Sequence, residues 1–358
     1  MSVGRFTGMG TDWSVLEGKS VLVTGGTGSF GRKFIRALLD NCTPRRVVVF
    51  SRDELKQYEM DREFQTHPGY GRLRFFIGDV RDLDRLVMAF RDIDIVVHAA
   101  ALKHVPIAEY NPFECIRTNV IGAENVVTAC LRTNVQKVVA LSTDKAASPL
   151  NLYGASKLAS DKIFVAGNNM AGGDGPRFCV VRYGNVIGSR GSVVPLFQQM
   201  IRDGAKDLPI TDERMTRFWI TLQQGVAFVV SSLQQMDGGE IFIPKIPSMH
   251  MVDLAAALAP DLPRRIVGIR PGEKLHEVMI TEDDARNTLE LADRYIIEPS
   301  LAFWKRGGVA ANATPVGDNF HYASNNNPDV LDANGLAEML RDAGLLETES
   351  CGAGHAAY

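Results

Sequence analysis

The sequence predicts an α/β protein with a doubly wound parallel sheet and a smaller, mixed C-terminal domain. Short apolar runs alternate with longer amphipathic runs through the first half of the chain, an alternation typical of βαβ units. The apolar runs are continuous and do not alternate with polar residues, as expected when helices cover both faces of a sheet. After Asn185 the pattern becomes irregular and proline and glycine cluster, which indicates the smaller domain.

Six strands are predicted, because six runs are short, rich in β-branched residues and bounded by turn residues. They lie at residues 20–24, 46–50, 73–77, 93–98, 137–142 and 178–182. Helices are predicted at residues 30–39, from about 54, at 112–133 and from about 152. Two later segments, 219–235 and 239–244, are predicted to return to the sheet.

The composition is that of an ordinary globular protein, with 45% hydrophobic and 23% charged residues among 358. A formal net charge of -3 gives no indication of nucleic-acid binding. No apolar run approaches the ~20 residues that span a bilayer, and no signal peptide is apparent. The five scattered cysteines form no CxxC pair, so reduced thiols in the cytoplasm are expected. The chain has no ligand-like histidine spacing, so no metal site is expected at His98, His104 or His276.

A glycine motif lies between the first strand and the first helix. Gly25, Gly28 and Gly31 have the spacing GxxGxxG. The first glycine of such a motif permits a tight turn, the second lets the backbone approach a pyrophosphate, and the third lets helix and strand pack closely. The helix N-terminus then offers N–H groups and a positive dipole end to phosphates. In this context the motif predicts a dinucleotide site.

The end of the second strand favours NADP over NAD. NAD sites usually place an acidic residue there to bind the ribose hydroxyls, whereas this strand ends in Ser51 and Arg52. A hydroxyl and a guanidinium suit a 2′-phosphate, although the acids Asp53 and Glu54 keep NAD open. Asp79, after the third strand, is a candidate acceptor for the adenine amino group, with an N-cap or turn role as the alternative.

These assignments divide the chain into four parts. Residues 1–17 are predicted to form a polar leader, and residues 18–187 an NADP-binding Rossmann domain with return segments at about 219–244. Residues 188–218 and 245–345 are predicted to form the substrate-binding domain, and 346–358 a tail.

A second motif indicates redox chemistry. Tyr153 and Lys157 form a YxxxK pair, which a helix places on one face. Tyr153 is the candidate base for oxidation of a carbinol, and because the ordinary pKa of tyrosine is about 10, Lys157 is expected to favour the phenolate. Thr143 ends the preceding strand and is a candidate donor to the substrate oxygen.

The glycine motif, Asp79, the alanines at 99–101, Thr143 and the YxxxK pair resemble the extended short-chain dehydrogenase/reductase family over residues 18–190. The resemblance implies a Rossmann-type fold with NADP bound at the glycine motif. The implied cofactor-binding residues are Gly25, Thr27, Gly28, Ser29, Phe30, Gly31, Ser51, Arg52, Lys56, Asp79, Val80, Ala99, Ala100, Lys103, Tyr153, Lys157 and Val186.

A narrower resemblance begins with Asp144 and Lys145, an acid and an amine beside Thr143. Plain reductases and 4-epimerases only move a hydride, but a 4,6-dehydratase must also remove a proton from carbon 5 and expel water from carbon 6, which requires a second base and an acid. Asp144 is expected to protonate the leaving hydroxyl, and Lys145 to take the carbon 5 proton. For this Lys145 needs a depressed pKa, which Lys103 or a desolvated cofactor would provide. A surface Asp-Lys turn is the structural alternative.

Further stretches are similar to the inverting UDP-N-acetylglucosamine 4,6-dehydratases, which begin pseudaminic acid synthesis. They are SRDELKQ at 51–57, HAAALKHVPIAEYN at 98–111, RYGNVIGSRGSVVPLF at 182–197, MTRFWIT at 215–221 and RPGEKLHEVM at 270–279. The resemblance implies NADP-dependent dehydration of UDP-N-acetylglucosamine with inversion at carbon 5, in a homo-oligomer between a dimer and a hexamer.

The implied substrate-binding residues lie in the same stretches. Guanidinium groups match phosphate oxygens, so Arg217 and Arg270 are expected at the diphosphate, with Asn185 as a further donor there. Glu273 is expected to face a ribose hydroxyl, and Lys103 to face cofactor and sugar. Val194 and Phe197 line the uracil or sugar pocket or pack in the core.

Three alternatives remain. A retaining UDP-sugar 4,6-dehydratase or a UDP-sugar 4-epimerase would share the fold, but an epimerase would not need Asp144 and Lys145. A non-catalytic NADP-binding regulator would share the scaffold, and such proteins often lose the YxxxK pair that this chain retains.

Overall fold

The computed structural model describes residues 5–8, 10–189, 191–304 and 312–346. Part of the predicted leader, most of the predicted tail and Cys351 lie outside these residues. The other four cysteines are free thiols. Within the described ranges, no helix has both the length and the apolar character needed to cross a membrane.

The strands and helices alternate through the first half of the chain. The strands are β1 (Ser20–Thr24), β2 (Arg46–Ser51), β3 (Leu73–Ile77), β4 (Ile95–His98), β5 (Lys137–Thr143), β6 (Arg177–Tyr183), β7 (Asn185–Val186), β8 (Leu208–Ile210), β9 (Thr216–Ile220), β10 (Ile241–Pro244), β11 (Ser248–His250), β12 (Arg264–Ile266), β13 (Val278–Ile280), β14 (Thr288–Glu290), β15 (Arg294–Ile297), β16 (Thr314–Pro315) and β17 (Tyr322–Ala323). The helices are α1 (Ser29–Asn41), α2 (Glu54–Phe64), α3 (Leu83–Ala89), α4 (Val105–Tyr110), α5 (Pro112–Ile116), α6 (Gly122–Leu131), α7 (Leu152–Ala171), α8 (Val193–Arg202), α9 (Leu222–Gln235), α10 (Met251–Leu258), α11 (Glu282–Ala285) and α12 (Ala333–Asp342).

A ten-stranded sheet with the order β16-β14-β15-β10-β6-β5-β4-β1-β2-β3 forms the centre of the molecule. Seven neighbouring strands of this sheet run parallel, in the order β10-β6-β5-β4-β1-β2-β3. Strands β15, β14 and β16 continue the sheet beyond β10 with antiparallel pairing. Helices α1 and α9 pack together, as do α3, α6 and α7, and the sheet lies between these two groups. The predicted α/β fold with a doubly wound parallel sheet is therefore confirmed.

The order of the strands places the functional edge of the sheet. β1 pairs with β2 on one side and with β4 on the other, so the direction of winding reverses at β1. In such sheets ligands bind outside the carboxyl ends of the strands at the reversal point. Strand β1 is buried throughout, because its neighbours and both helix layers cover it.

The second half of the chain differs in part from the predicted division. β10 joins the main sheet beside β6, as expected, but β9 pairs with β7 and β11 in a separate three-stranded sheet. β14 and β15, which fall in the predicted substrate-binding domain, extend the main sheet antiparallel. Two smaller apolar clusters hold the remaining elements together, one around Trp219 and one around Phe197.

Two further segments depart from simple expectation. The helix predicted at 112–133 is interrupted by a π-helical turn at Arg117–Ile121, a feature that occurs often at functional sites. In the predicted polar leader, Phe6 is buried in the main core and its ring packs edge-on against Phe228, with 4.9 Å between ring centroids. The periodicity of the sequence does not reveal this contact, because Phe6 belongs to no regular apolar repeat.

Candidate active site

The glycine loop fits a dinucleotide. Gly25 has a φ of +65°, and a Cβ added there would lie 2.9 Å from the backbone of Ala100 after β4, so only glycine fits this close approach. Gly28 precedes α1 without a side-chain cap, and the N-terminus of a helix favours an anionic ligand. Thr27 Oγ1 lies 2.9 Å from Ser51 Oγ, and this contact joins the loop to the end of β2.

Cations gather at the end of β2 and β3. Arg52 keeps 56% of its side chain exposed, and its guanidinium lies 3.8 Å from Asp79. Asp53 is committed to its own helix: it accepts from the Lys56 backbone N–H at 3.0 Å and pairs with the Lys56 ammonium at 2.7 Å, so its pKa is lowered. Because the Lys56 ammonium is paired with Asp53, Arg52 is more accessible than Lys56 to a ribose phosphate.

Asp79 is engaged more strongly than predicted. Its carboxylate accepts hydrogen bonds from the backbone N–H and the guanidinium of Arg81, at 2.7 to 3.0 Å. If Asp79 accepted from an adenine amino group, its carboxylate would contact Arg81 and Arg52 at the same time. Sequence reasoning missed Arg81, although its position two residues after Asp79 is typical of a turn in which a side chain folds back.

A buried asparagine in the π-helical turn organises the loop after β4. The Asn119 amide accepts from Leu102 N–H at 2.8 Å, and donates to Leu102 O and to Ser156 Oγ, both at 2.9 Å. The loop with Ala99 and Lys103 is thereby fixed against α7, whose first turns carry Tyr153 and Lys157. Asn119 was not predicted, because nothing in its local sequence sets it apart.

Helix α7 presents the YxxxK pair as predicted. Asn151 caps the helix by accepting from Gly154 N–H at 2.8 Å, and its amide donates to Gly272 O at 2.8 Å. Gly154 lets α7 approach the preceding turn, because a Cβ there would lie 2.3 Å from the carbonyl oxygen of Lys145. Lys157 is buried and donates to Leu141 O at 2.7 Å.

The third residue on this face of α7 was not predicted. Asp161 follows Lys157 by one turn and accepts from Ser142 Oγ at 2.8 Å and from Arg182 at 3.3 Å. It raises the pKa of Lys157, whose net shift is downward because burial outweighs it. An acid at four residues after Lys157 is the sequence feature that would have found it.

The charges around Tyr153 differ from the prediction. Burial raises its pKa to about 12, although the Lys145 ammonium and a hydrogen bond with Thr143 act in the opposite direction. The cation that favours the phenolate is thus Lys145, whereas Lys157 was expected in that role. The physical reason is that Lys157 turns its ammonium to the carbonyl at the end of β5.

A buried cluster of charges lies directly beside Tyr153. The Lys145 ammonium is 3.0 Å from Asp144 Oδ1 and 3.2 Å from Glu277 Oε1. Asp144 is completely buried and also accepts from Thr143 Oγ1 at 2.9 Å. Glu277 is 2% exposed. The other oxygen of each carboxylate, Asp144 Oδ2 and Glu277 Oε2, is buried and accepts no hydrogen bond from any described group.

The expectation of a depressed pKa for Lys145 is wrong for this arrangement. Burial alone would lower the pKa, but Asp144 and Glu277 raise it above its ordinary value, while Arg217 opposes them. Lys145 is therefore an ammonium here, and it acts as a base only after it passes a proton to a neighbour. The surface Asp-Lys turn that the sequence left open does not describe a pair with one member completely buried.

The predicted diphosphate ligand Arg217 is largely bound to protein. Its guanidinium donates to Thr216 O at 2.7 Å, Leu275 O at 3.0 Å and Lys274 O at 2.8 Å, and its Nε lies 3.8 Å from Glu277. In this arrangement Arg217 holds the loop before β13 onto β9. Direct contact with a diphosphate stays a prediction.

The other substrate candidates divide into two groups. Arg270 is exposed in the loop, Asn185 is half-buried in β7, and Glu273 is half-buried with its carboxylate 3.9 Å from Arg217. Val194 and Phe197 are buried in the two smaller apolar clusters, so core packing, the second interpretation of these residues, accounts for both. Val186 packs partly against the main core.

His98 and His276 each lie within hydrogen-bonding distance of a threonine. His98 is buried, lies 2.8 Å from Thr24 Oγ1 and has its pKa lowered to about 3 by burial, so it is neutral. His276 Nδ1 lies 2.7 Å from Thr216 Oγ1. Among the described residues, no group of three or more potential ligands is arranged to hold a metal ion.

Residues 21–299 match the family described as polysaccharide biosynthesis protein. The chain belongs to this family. The family match spans β1 through β15, and therefore both the glycine loop and the cluster around Lys145.

Proteins similar to this chain agree with the resemblance. An inverting UDP-N-acetylglucosamine 4,6-dehydratase from Campylobacter jejuni is 57% identical over 328 residues, which are 90% of this chain and 97% of the relative. The crystal structure of Pen from Bacillus thuringiensis superposes with a TM-score of 0.84 at 35% identity, over 92% of this chain and 99% of that chain. DesIV from Streptomyces venezuelae, a dTDP-glucose 4,6-dehydratase with NAD bound, gives 0.64 at 27% identity, over 72% and 86%. The predicted resemblance to the dehydratases is confirmed.

Proposed function

We propose that this protein is an NADP-dependent, inverting UDP-N-acetylglucosamine 4,6-dehydratase, a hydro-lyase. Its product is UDP-2-acetamido-2,6-dideoxy-β-L-arabino-hex-4-ulose, formed in the first step of pseudaminic acid synthesis. One observation carries the proposal: the half-buried amine of Lys145 and the buried carboxylate of Asp144 lie beside the redox tyrosine. The identity to the Campylobacter jejuni dehydratase over 90% of the chain supports the substrate.

The cofactor site is built for a nicotinamide dinucleotide. The close approach at Gly25 and the uncapped start of α1 fit a pyrophosphate, and Ser51, Arg52 and Lys56 would surround a 2′-phosphate. A bound nicotinamide would accept hydride from carbon 4 of the sugar and return hydride to carbon 6. Because oxidation and reduction cancel, the cofactor stays bound through turnover.

The protein groups would move protons in the following way. Tyr153 acts in its phenolate form and takes the proton of the carbon 4 hydroxyl as the hydride leaves carbon 4. The ketone so formed acidifies carbon 5. Lys145 passes one proton to Asp144 across their 3.0 Å contact, which creates a free amine and a carboxylic acid in one step. Lys145 then removes the carbon 5 proton, and Asp144 protonates the hydroxyl that leaves carbon 6 as water.

The proton count closes without any external acid or base. Two protons leave the sugar, from the carbon 4 hydroxyl and from carbon 5. Two are returned, one in the released water and one at carbon 5 from the opposite face, which inverts that centre. The protonated forms of Tyr153 and Lys145 are the two candidate donors for the final step.

A product assay separates this function from its rivals. The protein is incubated with UDP-N-acetylglucosamine in deuterium oxide, and the product is analysed by NMR. A 4-keto-6-deoxy product with deuterium at carbon 5 and inverted geometry supports the proposal. Retained geometry indicates a retaining dehydratase, a 4-epimer without deuterium indicates an epimerase, and unchanged substrate with bound NADP indicates a regulator.

Two further expectations belong to the proposal. Exposed apolar side chains, among them Ile107, Tyr110 and Phe113, lie on α4 and α5, and a surface of this kind is typical of a protein interface. We therefore propose a homo-oligomer, which sedimentation would test. The four free thiols suit a cytoplasmic location.

A further inference from the structure

We propose that Glu277 is a positioning residue for the dehydration, which orients Lys145 and directs the proton that Lys145 gives up to Asp144. The inference rests on the proposed function and extends it to a residue outside the predicted catalytic set. It is carried by three features of the site: the contacts of Lys145, the cations around Glu277 and the anchoring of the Glu277 loop.

The contacts of Lys145 limit what its amine can do. An ammonium has three N–H donors, and two carboxylate oxygens, Asp144 Oδ1 at 3.0 Å and Glu277 Oε1 at 3.2 Å, lie within reach. One donor direction is left for the sugar. After proton transfer, an amine that keeps one N–H on Glu277 can turn its lone pair about the Cε–Nζ bond toward carbon 5.

The cations around Glu277 determine which carboxylate receives the proton. Arg217 Nε lies 3.8 Å and Lys274 Nζ 4.0 Å from the carboxylate of Glu277. An opposite charge at such a distance favours the ionised form. Among the described residues within 4 Å, Asp144 has one cation, Lys145, and a hydroxyl donor, whereas Glu277 has three cations. Asp144 is therefore the carboxylate that loses less by accepting a proton.

The loop that carries Glu277 is fixed on three sides. The backbone N–H of Glu277 donates to Ser324 Oγ at 3.0 Å, and its carbonyl accepts from Ser324 N–H at 2.8 Å. Arg217 binds the carbonyls of the preceding residues, and Lys274 donates to Ala147 O at 2.7 Å. A carboxylate held this firmly can orient a lysine side chain that has four rotatable bonds.

The first test compares Glu277→Gln with the matched control Glu240→Gln. Glu240 is equally buried, at 1% exposed, but it caps backbone N–H groups beside β10 and lies outside the cluster. For Glu277→Gln we expect kcat for the dehydrated product to fall about 10–100-fold with KM changed less than ~3-fold. Glu240→Gln should keep the wild-type kcat.

The second readout is the titration of Lys145 itself, followed by NMR of lysine labelled with carbon-13 at Cε and assigned with Lys145→Met. The charged groups that face this ammonium are Asp144, Glu277, Arg217, Lys274 and Tyr153. Removing the Glu277 charge lowers the pKa of Lys145, so its titration moves to lower pH in Glu277→Gln. Glu277→Asp, which retains the charge, should titrate nearer the wild type and recover part of kcat.

The outcomes separate the inference from the function on which it rests. If the wild type makes no 4-keto-6-deoxy sugar, the proposed function fails. If the wild type dehydrates but Glu277→Gln matches it in kcat and in the Lys145 titration, the positioning role is overturned. Equal losses of kcat and melting temperature in the Gln and Asp variants, with an unshifted titration, would likewise overturn it in favour of a purely structural role.

Discussion

The glycine loop and the cluster around Lys145 differ in the groups that they present. The glycine loop presents mainly backbone, with a glycine in a left-handed conformation and a helix start without a side-chain cap. The charged side chain of Arg52, at the end of β2, is largely exposed. The cluster uses buried charge, with Asp144 completely buried and Glu277 and Arg217 nearly so. Replacing a charged side chain at an exposed site removes one contact, whereas in a buried network it leaves a partner unneutralised. Substitutions at the glycine loop should therefore change the affinity for one dinucleotide moderately, whereas substitutions in the cluster should cause a large loss of dehydration.

The largest effect is expected for Lys145→Arg. Arginine keeps a cation between the two carboxylates but cannot release its proton, so dehydration should fall about 10²–10⁴-fold while NADP binding stays. The product assay measures this loss. Lys137→Arg is the control, because Lys137 begins β5, the strand that precedes Lys145, and donates to Leu233 O. Dehydration at the wild-type rate by Lys145→Arg would show that the Lys145 amine does not take the carbon 5 proton, and that substitutions in the cluster are not more damaging than those at the glycine loop.

Arg52→Ala should have the next largest effect, and only on one cofactor. Losing a charge-assisted hydrogen bond costs about 1.5–3 kcal/mol, so NADP should bind about 10–100-fold more weakly while NAD binding changes little. Calorimetric titration with both dinucleotides measures the difference. Arg62→Ala, an exposed arginine of α2, is the control. Equal losses for NADP and NAD would show that Arg52 does not read the 2′-phosphate.

Thr143→Val should shift the pH dependence of the redox step. A hydrogen bond between Tyr153 and Thr143 lowers the pKa of Tyr153, which burial raises to about 12, so its removal raises that pKa further. The phenolate is the deprotonated form, and its population falls about tenfold for each unit of pKa. The curve of carbon 4 oxidation against pH should move to higher pH, with a slower rate at neutrality.

This shift has a clear counter-outcome and control. Stopped-flow absorbance of the reduced cofactor across pH follows the step directly. Thr288→Val, at a buried threonine of β14, should leave the curve in place. A curve for Thr143→Val that coincides with the wild type would mean that another group sets the ionisation of Tyr153.

Phe6→Ala should leave catalysis unchanged and affect only folding. Phe6 packs against Phe228 and under the guanidinium of Arg294, 5.4 Å from its ring centroid. Truncating a buried phenylalanine costs about 3 kcal/mol, which chemical denaturation measures. Phe303→Ala is the control, because Phe303 is 80% exposed. A change in kcat for Phe6→Ala would show that the N-terminal segment reaches the site.

Most of the fold could be predicted from local pattern. The six predicted strands match β1 through β6 within about two residues, because each is a short, mostly apolar run bounded by turn residues. The π-helical turn and the pairing of β9 with β7 and β11 could not be predicted, since both depend on packing between distant segments. The same limit applies to Asn119, which is ordinary in sequence and becomes important through contacts with Leu102 and Ser156.

The sequence by itself determined the parts of this protein whose chemistry lies within a few consecutive residues. The glycine loop, the Asp144-Lys145 pair and the YxxxK pair are of this kind, because backbone conformation and helical spacing place their groups. Only the tertiary structure brought Glu277 and Arg217 to Lys145, and only it decided the charge of that lysine. The physical reason is that a pKa depends on burial and on charges within a few ångströms, and neighbours in space are not neighbours in the chain.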